Sequence, residues 1–173
     1  MKPKAKSKST KLSPAGQKAR KSAADTTKQI NSLLQQSRTA LEEGELQVAH
    51  DLASKACSLL STTSTNTNPI ELLGEINIEL ENFESALQCF TEAIRRRENV
   101  DPESFELGEE GKFLWMGQLD EGDQAEEWYA KGVDVLHHLL EKSTDDDQRK
   151  RIRDKLCSTY CSLIELFLTD LWY

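Results

Sequence analysis

Glu71, Glu75 and Glu79 recur at intervals of four in "NPIELLGEINIE". That spacing sets three carboxylates along one side of a helix. Such a row can hold the Lys and Arg side chains of a basic peptide, although glutamate also serves simply as a solvated helix former. Catalytic chemistry has no comparable signal. The chain carries no glycine-rich phosphate loop and no nucleophile–base set, so it reads as a non-enzyme with no cofactor. Cys57, Cys89, Cys157 and Cys161 form no C-x-x-C pair and lack a histidine at zinc-site spacing. Cys157 and Cys161 share a helical face, but reduced cysteine is a common small core residue, and no metal is expected. The adjacent His137 and His138 point to different helix faces and read as structural.

Charge divides the chain. Residues 1–28 carry nine Lys/Arg against the single acid Asp25, while the remainder has a net charge of −16. The opening "MKPKAKSKSTKLSPAGQKARKSAADTTK" has almost no large apolar side chain to offset its ordering entropy. Residues 1–27 are therefore expected to form a disordered basic arm. Without aromatic stacking groups the arm gives no basis for specific nucleic-acid binding, and a nuclear import receptor is its candidate partner. With 30% charged residues and a mean hydropathy of −0.62, much of the surface must be solvated. The longest apolar run, "SLIELFL", is too short to span a bilayer. No secretory signal is recognisable, so the expected location is cytoplasmic and nuclear.

Helices must position these groups. From residue 28 onward apolar residues recur at helical spacing, and no strand-like alternation of any length interrupts them. "STTSTNTNPIE" is a polar linker that delivers a proline into the first turn of a helix. "STDDDQ" places acids at the positive end of the last helix, whose apolar stripe is read as Ile152, Leu156, Tyr160, Leu163, Phe167 and Leu171.

The helices repeat in pairs. Leu73-Gly74 is followed by Ala86, Phe90 and Ala93, a large–small pair and then small–large–small, which is the tetratricopeptide (TPR) spacing. Small residues let two antiparallel helices approach, and the aromatic fills the gap to the next repeat. Ala49, Ala53 and Ala56 take the same positions in a first repeat. Ala125, Tyr129 and Gly132 take them in a third, where Met116-Gly117 precedes Ala125 by a shortened interval. Trp115, Trp128 and Tyr129 are thus packing residues rather than a ligand cage. The expected architecture is an all-α, TPR-like right-handed solenoid over residues 28–173, with repeats near 30–61, 67–98 and 110–142 and a final helix over 146–171.

In such solenoids the first helix of each repeat lines the concave groove. In the second repeat the inner positions are Asn68, Glu71, Glu75, Ile78 and Glu79, and Glu121 and Glu165 continue the acidic face. These seven are the candidate client-binding residues. A clamp for acidic chaperone tails needs Lys, Arg and Asn where this chain has Leu34, Arg38, Glu71 and Glu75. The basic runs "RRR" (95–97) and "RKRIR" (149–153) fall at a helix end and on the outside of a helix start; the first complements the helix dipole and the second is a candidate import signal.

"LLGEINIELENFESALQCF" (72–90), "KFLWMGQL" (112–119), "EEWYAKGVDVL" (126–136) and "SLIELFLTDL" (162–171) occur in that order. In these stretches the chain resembles the dedicated assembly chaperones of ribosomal large-subunit protein four. The resemblance covers roughly residues 30–171. It implies that the concave groove holds the basic extended loop of that newly made ribosomal protein, for nuclear delivery and large-subunit assembly. A generic TPR scaffold and a nucleic-acid-associated adaptor are the alternative readings. Family members continue past "TDL" with further helices, whereas this sequence stops at Tyr173, so the last helix is expected to expose part of its apolar stripe.

Overall fold

A computed structural model describes residues 14–98 and 104–169, with side chains from residue 23. Among the described residues seven helices follow one another: α1 (Pro14–Glu42), α2 (Leu46–Ser58), α3 (Asn68–Glu79), α4 (Phe83–Arg97), α5 (Gly111–Leu119), α6 (Gly122–Lys142) and α7 (Asp146–Thr169). Among the described residues there is no strand, and no helix is long and apolar enough to cross a membrane. The all-α expectation holds. Each helix packs on the next, with α1, α3 and α5 paired against α2, α4 and α6, and α7 laid against α6.

The small–large code has a direct geometric meaning. A Cβ on Gly74 would lie 2.7 Å from the Phe90 ring, and one on Gly117 would lie 2.8 Å from the Tyr129 ring. Ala49, Ala53, Ala56, Ala86, Phe90, Ala93 and Ala125 are completely buried. Phe90 then stacks on Trp115, with centroids 6.3 Å apart, and so carries the contact from the second pair into the third.

The turns inside the first two pairs are of one kind. Gly44 (φ 79°) and Glu81 (φ 58°) adopt the left-handed conformation just after α1 and α3. The amide of the following residue reaches back in each case, Glu45 to the Ala40 carbonyl and Asn82 to that of Asn77, both at 2.8 Å. This reach-back satisfies carbonyls that a helix end otherwise leaves open.

Two boundaries differ from the sequence reading. Helix α1 begins at Pro14, inside the stretch 1–27 assigned to the basic arm, and residues 1–13 lie outside the described residues. Ala15, Gln17, Lys18, Ala19, Arg20, Lys21, Ala23 and Ala24 are mostly strong helix formers, and Pro14 suits a first turn, so local propensity favours extending the helix. On α7 the buried line is Ile152, Leu156, Thr159 and Leu166, whereas Tyr160 and Phe167 are 45% and 43% exposed. Four of the stripe's five steps are of four residues, each drifting about 40° around a helix, and the single step of three does not cancel them, so the expected stripe winds off the packed face. Leu171 lies outside the described residues.

Gly74→Ala and Gly117→Ala are each expected to destabilise the fold by about 1–3 kcal/mol, the usual cost of overpacking. Gly111, where an added Cβ meets nothing within 4 Å, is the control. Thermal melts of the three variants test this; equal Tm values for all three would refute the steric argument.

Candidate peptide-binding groove

The inner helices α1, α3, α5 and α7, the linker ahead of α3 and the loop ahead of α5 surround a cavity of about 700 Å³. Arg38 comes from α1, Asn68, Glu71 and Glu75 from α3, Leu114, Trp115 and Gln118 from α5, and Lys155 from α7. Glu106, Leu107, Gly108 and Glu109 of the loop form a further wall.

Three of the seven candidate residues meet there: Asn68, Glu71 and Glu75. Ile78 is half-buried in the α3–α4–α5 packing with Trp115 and Leu119. Glu79, Glu121 and Glu165 are exposed and do not line the cavity. Glu79 sits a turn beyond Glu75 at the end of α3, and Glu121 immediately precedes α6.

Glu71 departs from the expected solvent-facing role. It is only 8% exposed, and the fully buried Lys112 places its Nζ 3.1 Å from Glu71 Oε1. The same ammonium donates to the Glu109 carbonyl at 2.7 Å and lies 3.7 Å from the Glu109 carboxylate. It also approaches the rings of Phe105 and Phe113, with centroids 5.6 and 5.5 Å away. Arg97, at the end of α4, contacts the Glu109 carboxylate at 2.7 Å and covers Phe105. The fully buried Glu110 accepts from Lys155 Nζ and, at 2.7 Å, from the Gly108 amide. Burying one of these charges alone is costly. Three carboxylates and three cations together form a neutral set that ties α3, α4, α5 and α7 to the loop.

Sequence reasoning missed Lys112. The available signal was a single lysine within "GKFLWMGQL", three residues after Glu109 and beside Phe113, where a helix this short and apolar has little solvated surface for an ammonium.

Glu75 is different. It has no hydrogen bond or ion pair among the described side chains, and it is half-buried. Burial pushes its carboxyl above the ordinary value of 4.5; Arg38 opposes that rise, Glu71 adds to it, and Lys155 opposes it. Trp115, stacked on Phe90 on one side, lines the cavity. Trp128 does not; its indole N–H donates to Asp120 at 3.2 Å and Lys131 covers its ring at 4.1 Å.

The two basic runs have tertiary roles. Arg95 and Arg96 both bond Glu92, and Arg96 also donates to the Ser61 carbonyl at 3.0 Å, pinning the linker. Arg149 donates to the Leu140 and Ser143 carbonyls and closes the end of α6. Burial raises the Cys57 and Cys89 thiols to about 12 and about 11, which keeps both protonated and unreactive at neutral pH. Among the described residues no group of His, Cys, Asp and Glu is arranged to hold a metal ion.

Lys112→Met is expected to cost about 3–5 kcal/mol, because it leaves Glu71 buried without its cation. Adding Glu71→Gln should recover part of the loss. Urea denaturation measures both, and an unchanged midpoint for Lys112→Met would show the set to be dispensable.

Glu75 generates a pH prediction. The folded chain holds this proton more tightly than the unfolded chain does, so its contribution to stability is present below about pH 4.5 and declines as pH rises through the raised folded value. Glu75→Gln should therefore raise Tm near neutral pH, with the gain shrinking to nothing below about pH 4. A pH-independent difference would mean that burial of the charge is not its cause.

No protein-family model matches the chain. It is 37% identical over 137 residues to a probable assembly chaperone of rpl4 from Schizosaccharomyces pombe, a match covering 78% of this chain and 38% of that protein. A protein of the same description from Emericella nidulans is 28% identical over 114 residues, covering 64% of this chain and 30% of that one. The chain thus spans about a third of the length of these curated relatives. Its fold matches residues 1–338 of the assembly chaperone of RpL4, Acl4, with a TM-score of 0.73 and 25% identity over 83% of this chain and 56% of that one. The TPR-like solenoid is shared with that structure, and the chain is a homologue of the rpl4 assembly chaperones over the segment it has in common with them.

Proposed function

We propose that the chain is an assembly chaperone of a large-subunit ribosomal protein, the counterpart of rpl4, and that it holds the basic extended loop of that client in the groove between α1, α3, α5 and α7. The observation that carries this reading is the 37% identity to a relative described as a probable chaperone of that protein. The groove supports it through Glu75 and Glu106, carboxylates without a bonded counter-ion, and through Trp115 and Leu107, which offer apolar surface to the stems of Lys and Arg. The work is binding rather than catalysis, in keeping with the names of the relatives. Escort into the nucleus would use the basic N-terminal arm, residues 1–27, as the mark for an import receptor.

Pull-down from a cell extract at low salt tests the client. Recovery of the rpl4 counterpart is expected, with binding that weakens as salt rises, because the Debye length falls from about 10 Å at 0.1 M to about 3 Å at 1 M. Glu75→Lys should abolish recovery, while Glu79→Lys, outside the cavity, should leave it intact. Many unrelated partners would point to a general scaffold, and recovery that depends on RNA would point to a nucleic-acid adaptor. Removal of residues 1–27 from a fluorescent fusion should lower nuclear accumulation; an unchanged distribution would refute the import role.

A further inference from the structure

The charges that remain available in the groove are few and of both signs. Lys112, Arg97 and Lys155 are already matched by Glu71, Glu109 and Glu110. That leaves Glu75 on α3 and Glu106 on the loop as anions, and Arg38 on α1 as a cation. Arg38 is exposed, lines the cavity and makes no hydrogen bond or ion pair among the described side chains. A uniformly basic segment would meet one repulsive site at the α1 side of the groove.

We propose that the groove selects a peptide of mixed charge, with a basic residue against Glu75 and Glu106 beside Trp115 and an acidic residue on Arg38. The proposal rests on the groove-binding reading above and adds the charge order of the segment bound. A guanidinium presents a planar fork that fits a carboxylate in two parallel hydrogen bonds, which makes an acidic side chain its natural complement. The spacing follows from the helices. α1 and α3 are in contact, and packed helices lie about 8–10 Å apart. An extended chain advances about 3.3 Å per residue, so the acid and the base should sit about three residues apart.

Two fluorescent peptides of equal length test this by anisotropy with the intact chain. Both carry the same central lysines, and one has a glutamate about three residues to either side of them where the other has serine. The acid-bearing peptide is expected to bind about two- to fivefold more tightly, the scale of a single exposed ion pair, despite its lower net positive charge. Arg38→Glu should reverse the preference, and Arg38→Gln should abolish it. Tighter binding of the purely basic peptide to the wild-type chain, or a preference untouched by Arg38→Glu, overturns the proposal. Equal binding of the two peptides removes the charge order but keeps the groove as the site. Failure of both to bind overturns the groove reading as well.

Discussion

Helices α3 and α4 can pack as closely as they do because position 74 has no side chain: the Phe90 ring comes within 2.7 Å of where a Cβ would be. Gly117 and Tyr129 repeat this arrangement between α5 and α6. The close crossing fixes the angle of each pair, and a ring pressed against a glycine has few other positions open to it. Phe90 is then held where it can stack on Trp115, so one contact both closes a repeat and joins it to the next. The pairs so built present α3 and α5 to the groove, which α1 and α7 also line.

The loop ahead of α5 adds a second constraint of a different kind. Packing of apolar and small residues is nearly indifferent to electrostatics, whereas Lys112 and Glu110, both fully buried, are stable only with their counter-ions in place. Their partners lie on α3 and α7, so the ionic set fixes the position of the loop relative to helices that are distant in sequence. The wall of the groove formed by Glu106 to Glu109 is therefore determined by charge matching as much as by hydrophobic contact. Much of the carboxylate charge around the groove is thereby neutralised from within.

These two constraints leave the groove with a sparse set of available groups. Glu75 is half-buried and lines the groove with Arg38 and Glu71, and Trp115 presents a face whose other side is stacked on Phe90. Trp115 is held in place by its stack on Phe90, and fixing a ring in this way lowers the entropic cost of using it in binding. The similarity to chaperones of a ribosomal protein is accompanied by a cavity that carries charges of both signs beside a tryptophan.

The repeat was legible in the sequence because its code is local. Gly74, Ala86, Phe90 and Ala93, and their counterparts Gly117, Ala125, Tyr129 and Gly132, carry steric information in size and spacing alone, and helical periodicity converts spacing into a shared face. The resemblance in "KFLWMGQL" and its neighbours was legible for the same reason. The fate of each charge was not. Glu71, Glu75 and Glu79 look equivalent along one helix, yet one is buried against Lys112, one lines the groove and one faces solvent beyond it. Glu71 and Lys112 are 41 residues apart, and no periodicity within α3 reports which residue of a later helix will approach it. Size and period therefore determined the scaffold from sequence, while tertiary structure alone decided the electrostatics of the groove, because a charge is defined by what the fold places beside it.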